Sequence, residues 1–134
     1  MNVTPPSFLA VALAFATTFV LGGLWYAPFL FGPRWQRLVG VTDDTMRATM
    51  ARTCAIAAVS ALIFAVDLGF FVGGSSTASF GAFAGLATGV FMACAITTSY
   101  TFARRPAALV ALDAGYHIVA ATVAGTIIGA LGSP

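Results

Sequence analysis

The stretch Pro106–Leu131 reads PAALVALDAGYHIVAATVAGTIIGAL, and its nearly continuous apolar character decides the fold class. About 20 helical residues cross the hydrocarbon core of a membrane, so this stretch predicts a transmembrane helix. Asp113, Tyr116 and His117 lie at positions i, i+3 and i+4 and therefore share one face of that helix. Ionisable groups inside a membrane span are costly, which indicates a functional role or a contact with another helix.

The composition of the whole chain points to the same environment. Of the 134 residues, 60% are hydrophobic and only 7% are charged, whereas a soluble domain carries about 25% charged residues. We therefore predict an all-α, polytopic membrane protein, with residues 1–134 forming a single four-helix transmembrane bundle in the lipid bilayer. The net charge of +2 is too small for a nucleic-acid partner.

Three further apolar stretches precede the last one. Phe8–Val20 resembles the apolar part of a signal peptide, but no basic segment precedes it and the apolar run continues, so we interpret it as a span. Thr42, followed by two acidic residues, predicts a helix N-cap, and a short interfacial helix is expected over 34–39. The predicted spans cover about residues 7–30, 46–72, 79–103 and 106–131.

The basic residues predict the orientation of the chain. The N-terminus, the loop Gly73–Thr77 and the C-terminal tail carry no Lys or Arg. Because basic residues are enriched in cytoplasmic loops, both termini are expected outside and the loops 31–45 and 104–106 in the cytoplasm. The six basic residues flank the first and third connections: Arg34, Arg37, Arg47 and Arg52, then Arg104 and Arg105.

Three ionisable side chains within the predicted spans are candidates for acid–base catalysis: Asp67, Asp113 and His117. At 1.5 Å per residue from the arginines, Asp113 lies at about 12 Å depth, His117 at about 18 Å and Asp67 at about 22 Å. Asp67, on a stripe with Ser60 and Phe64, could therefore pair with His117 and join two spans. Alternatively, a desolvated carboxyl group donates a proton and the imidazole relays it.

Aromatic residues at similar depth are candidates for binding a substrate. Trp25 and Tyr26 lie two turns deeper than Trp35, so lining a pocket competes with interfacial anchoring as their role. Tyr100 and Tyr116 complete the predicted substrate-binding set. One histidine and two separated cysteines form no metal-ligand set, and no cofactor motif is present, so neither a metal nor a cofactor is expected.

Small residues repeat every fourth position in the last two predicted spans. Gly81, Gly85 and Gly89 form the longer run, and Gly125 and Gly129 repeat the spacing once. Such small-xxx-small patterns allow two helices to approach closely. The partner helix, within the chain or in a second copy, is left open by the sequence.

Three segments together resemble one known family: LGGLWYAPFLFGPRW in the first span, GVTDDTM at the second helix start, and DAGYHIV in the last span. The chain is similar to a bacterial membrane-protein family catalogued as domain of unknown function 1761. The resemblance implies a four-span protein of the bacterial inner (cell) membrane. The family name implies no activity.

Three functions remain open at this stage. The first is a membrane-embedded pocket that binds, or converts by acid–base chemistry, a small lipophilic molecule, as an isomerase, cyclase or cofactor-free oxygenase would. The second is a proton-linked transporter or channel built as a parallel oligomer. The third is a structural or accessory subunit of a membrane complex. A homo-oligomer is expected under all three, because four short spans barely enclose a pocket alone.

Overall fold

The computed structural model describes residues 5–74 and 76–132. Four of its five helices are long and apolar enough to cross a membrane, and no strand occurs among the described residues, so the prediction of an all-α membrane bundle is confirmed. Residues 1–4 and 133–134, expected outside the cell, lie outside the described part, as does Ser75. The helices are α1 (Phe8–Trp25), α2 (Gly32–Val39), α3 (Asp43–Val72), α4 (Ala78–Phe102) and α5 (Ala107–Leu131).

The first membrane helix ends earlier than the predicted span. Helix α1 stops at Trp25, whereas the span was expected to reach residue 30, because Pro28 cannot continue the helical hydrogen bonds. The chain then turns tightly, with the Gly32 N–H donating to the Ala27 carbonyl oxygen at 3.1 Å. The expected interfacial helix follows as α2 and ends at Gly40, whose φ of 80° suits glycine.

Helix α3 is held to the bundle by only one of its ends. Thr42 caps it as expected, its hydroxyl oxygen accepting from the Thr45 N–H at 3.3 Å. Its buried residues all lie in the last third: Ala65, Leu68, Gly69 and Val72. Residues 47–57 are exposed. Helix α3 therefore packs against α1 near its C-terminus and leaves its first two-thirds uncovered.

Helices α4 and α5 pack backbone against backbone. A Cβ atom added at Gly85 would lie 2.9 Å from the Ala121 carbonyl carbon, and one added at Gly125 would lie 2.9 Å from the Gly85 Cα. No real side chain fits at such distances, so the glycines are required for this approach. The repeats in the two spans thus face each other, and the partner helix left open by the sequence lies within the same chain.

The helix contacts place both arginine-bearing connections at one end of the bundle. At that end the Trp25 indole lies against Leu112 of α5. At the opposite end, Gly129 of α5 approaches Gly81 of α4. The four long helices therefore alternate in direction, and all the arginines are confined to one end, called the arginine end below.

The glycine contact yields a stability prediction. Gly85→Ala should lower the free energy of unfolding by about 1–3 kcal/mol, because the added methyl group forces α4 and α5 apart. Gly23→Ala is the matched control, since a Cβ there meets nothing within 4 Å. Titration with SDS in mixed micelles, followed by circular dichroism, measures both variants. Equal unfolding midpoints for the two variants would contradict the role of Gly85.

Candidate functional site

Asp113 lies at the junction of three helices. Its Oδ1 accepts a hydrogen bond from the Tyr26 hydroxyl at 2.7 Å, and its Oδ2 accepts one from the Tyr100 hydroxyl at 2.9 Å. The residue is only 7% exposed. A buried carboxyl group needs such donors, since unpaired burial in an apolar medium is costly. The two bonds join the end of α1 and the end of α4 to α5.

Aromatic side chains extend this junction along α1 and α5. The Trp25 Nε1–H donates to the Leu112 carbonyl oxygen at 3.2 Å. The Tyr116 hydroxyl donates to the Thr18 carbonyl oxygen at 3.1 Å. The Tyr26 and Tyr116 ring centroids are 5.6 Å apart. We call Trp25, Tyr26, Tyr100, Asp113 and Tyr116 the Asp113 cluster.

The Asp113 cluster brings together residues that the sequence predicts to lie at a similar depth in the membrane. Trp25, Tyr26 and Asp113 were expected at the same level of the membrane, and the structure places all three in one set of contacts. Helix rise predicts depth well, because it depends only on the count of residues from a shared marker. Tyr100 reaches the same carboxyl group from α4.

His117 and Asp67, the other two predicted catalytic residues, lie apart from the cluster and from each other. The His117 ring is half-buried beside Tyr116, with ring centroids 5.0 Å apart. The Asp67 side chain is exposed on α3 and faces α4. Within residues 5–74 and 76–132, the pairing of Asp67 with His117 considered from the sequence is not formed. Their depths are similar, but α4 is the close neighbour of α5, and α3 packs on α1.

A groove between α3 and α4 contains Asp67. Its volume is about 710 Å³, and it opens on the side of the bundle. Ser60 and Asp67 supply polar atoms from α3, and Thr88 supplies a hydroxyl from α4 that donates to its own helix at 2.8 Å. The remaining wall is apolar and includes the rings of Phe64, Phe71 and Phe91. We call this site the Asp67 groove.

The sequence revealed one wall of the Asp67 groove but not the other. The spacing of Ser60, Phe64 and Asp67 places them on one stripe of α3. Thr88 and Phe91 on α4 carried no signal, because an apolar span gives no indication of which face meets another helix. The groove forms where α3 diverges from α4, a consequence of packing alone.

Metal binding finds no support in the described residues. They contain no group of three or more His, Cys, Asp or Glu side chains that could hold an ion. Cys54 and Cys94 are both free and exposed. The predicted site residues themselves supply carboxyl groups, an imidazole, an indole and phenol hydroxyls.

The sequence as a whole identifies the family. A family model described as a protein of unknown function, DUF1761, matches residues 9–129. The chain belongs to the DUF1761 family. This membership confirms the resemblance carried by the Trp-Tyr, Thr-Asp-Asp and Gly-Tyr-His segments. No curated protein and no solved structure matches the chain.

The contribution of a hydrogen bond to the Asp113 carboxyl group can be compared with that of a hydrogen bond to a neutral backbone carbonyl. Tyr26→Phe should lower the free energy of unfolding by about 1.5–3 kcal/mol, because it removes a donor from a carboxyl group. Tyr116→Phe should cost about 0.5–1.5 kcal/mol, because its hydroxyl meets only a backbone carbonyl. Both changes remove one hydroxyl group, and the same SDS titration compares them. A larger loss for Tyr116→Phe would show that the Asp113 contact is not the stronger one.

Proposed function

We propose that this DUF1761 protein binds a small lipophilic molecule in the Asp67 groove. The observation that carries the proposal is the Asp67 carboxyl group, which is exposed in a mostly apolar groove. Ligand sites in proteins typically have volumes of about 300–1,000 Å³, with apolar walls and a few polar groups. The groove, at about 710 Å³, has the volume and the lining of such a site.

Access to the groove supports binding from the bilayer. Phe71 is 68% exposed and Phe91 is 76% exposed, so the aromatic wall lies at the side of the bundle. A molecule dissolved in the lipid reaches Asp67 without crossing the packed core.

We favour ligand binding in the Asp67 groove over chemical conversion of a substrate at the Asp113 cluster. Both carboxyl oxygens of Asp113 already accept hydrogen bonds from tyrosines of the same chain. Asp113 is also only 7% exposed, so a substrate would reach it only by disturbing the contacts that hold α1 and α4 to α5. We therefore assign Asp113 to helix assembly and Asp67 to ligand binding, and we assign no reaction to His117.

We propose the orientation from the charge pattern. The arginine end faces the cytoplasm, because Lys and Arg are enriched in cytoplasmic connections. Asp67 then lies toward the outer leaflet, since Arg52 is fifteen positions, or about 22 Å, before it on α3.

A substitution that fills the groove tests the proposal. Ala87 lines the groove on α4, and Ala87→Phe should exclude a ligand by occupying its space. The protein is gently extracted from its own membrane and examined by native mass spectrometry. We expect a small-molecule adduct on the unchanged protein that Ala87→Phe loses. Ala95→Phe, an exposed change on the same helix, should keep it. An adduct retained equally by both variants would refute the groove as the site.

Assembly with a second copy is the other function that a specific observation favours. Residues 47–57 of α3 are exposed and rich in small side chains, which suit close helix packing. Cys54 lies within this segment. A homo-oligomer that covers the segment would bring Cys54 residues of two copies together.

Oxidative cross-linking tests this assembly. In a Cys94→Ser background, copper phenanthroline should link two chains through Cys54 in native membranes, because the two α3 helices face each other. The matched control is Cys54→Ser, which retains Cys94 on α4 and should remain monomeric on a denaturing gel. Cross-linking through Cys94 alone would place the interface on α4 instead.

A further inference from the structure

We infer that the ligand of the Asp67 groove is an amphiphilic cation whose ammonium group pairs with the Asp67 carboxylate. The inference rests on the proposed ligand groove and names the chemical class of its occupant. It begins with the carboxyl group itself, which is exposed on α3 in a groove whose other lining is mostly apolar. An isolated carboxylate there is costly, so the side chain requires a partner of opposite charge or a hydrogen-bond donor.

The described part of the chain supplies no such partner. Its side-chain hydrogen bonds to carboxyl groups reach Asp43 and Asp113, and none reaches Asp67. His117 lies on α5 beside Tyr116 and is not part of the groove lining. The described residues therefore leave the Asp67 carboxyl group available to a ligand that carries a cation or a hydrogen-bond donor.

The arginines of a parallel second copy do not reach Asp67 either. Along α3 the nearest arginine is Arg52, at about 22 Å from Asp67. On the facing helix, Thr88 and Arg104 are sixteen positions, or about 24 Å, apart. In a parallel oligomer the arginines of every copy lie at the same end, so none reaches the level of Asp67. A small cation in the groove meets this requirement.

The walls of the groove fit an ammonium group in particular. Phe64 and Phe71 from α3 and Phe91 from α4 line the same space as the carboxyl group. The faces of aromatic rings attract cations, and an aromatic surround is the usual site for alkylammonium ligands. The same walls would accept a neutral apolar molecule but would leave the Asp67 carboxyl group without a partner. An anion would be repelled.

The position of Asp67 along the groove fixes how an amphiphile would lie. Asp67 is five positions from the end of α3 at Val72, or about 8 Å from the end opposite the arginines. Ser60 lines the groove two turns deeper. An amphiphile would therefore place its ammonium group near that end, with its alkyl or aryl part directed toward Ser60 and the membrane interior.

Two probes of equal chain length separate charge recognition from apolar binding. Dodecyltrimethylammonium carries the cation, and 1-dodecanol carries a neutral hydroxyl group. Both are titrated by isothermal calorimetry into the full chain in dodecyl maltoside micelles, which contain no ammonium group, with protein-free micelles subtracted. We expect Asp67→Asn to weaken binding of dodecyltrimethylammonium by about tenfold or more, and to change the 1-dodecanol affinity by less than about twofold.

Two control variants make each outcome decisive. Asp44→Asn removes the same charge from an exposed position at the arginine end and should leave both affinities unchanged. Ala87→Phe should abolish both. If Asp67→Asn leaves the cation affinity unchanged while Ala87→Phe removes binding of both probes, the ammonium inference is overturned and the groove stands. If neither probe binds, or if Ala87→Phe has no effect, the proposed function fails together with the inference.

One competition distinguishes the source of the ammonium group. Dihexanoyl phosphatidylethanolamine is added to the complex with dodecyltrimethylammonium. Displacement of the probe would show that a lipid headgroup is an accepted ligand. An unchanged probe affinity would show that the groove selects a free single-chain amphiphile. Either result supports recognition of the ammonium group, provided that Asp67→Asn has weakened the binding of the probe.

Discussion

The contact between α4 and α5 is the constraint on which the other helix positions depend. Glycines on both helices remove the side chains that would hold the backbones apart, as at Gly85 and Gly125. In a bilayer, where lipid tails are as apolar as leucine, close packing of this kind drives helix association. Once α4 is committed to α5, its opposite face is not needed for the core. Helix α3 instead packs on α1, and a space opens between α3 and α4.

The carboxyl groups of Asp67 and Asp113 show how packing separates chemically identical side chains. Asp113 lies where α1, α4 and α5 meet, and two tyrosines satisfy its oxygens. These two bonds join α1 and α4 to α5. Asp67 lies where two helices diverge, and the described chain leaves it unmatched in an apolar groove. The same kind of side chain thus joins helices in one place and lines a groove in the other.

The helix termini adapt the bundle to the membrane at the arginine end. The chain leaves α1 at Trp25, turns through Pro28 and forms the amphipathic helix α2 before α3 begins. Trp25 and Tyr26 thereby lie at the end of a helix, free to reach across to Leu112 and Asp113. The early end of α1 is therefore what allows the Asp113 cluster to form.

The sequence by itself determined the environment, the number of long helices, the family and the relative depths of the polar groups. Each follows from local properties: apolar length, cap residues such as Thr42, and a helical rise that converts residue counts into depth. Thus Trp25, Tyr26 and Asp113 were expected at one level, and Tyr26 bonds to Asp113 while Trp25 bonds to the adjacent Leu112. Only the tertiary structure decided which residues at a shared depth meet. Whether Asp67 pairs with His117 or faces a groove depends on which helix faces which. In spans that are almost uniformly apolar, close backbone contacts at glycine residues determine which helices pack against each other.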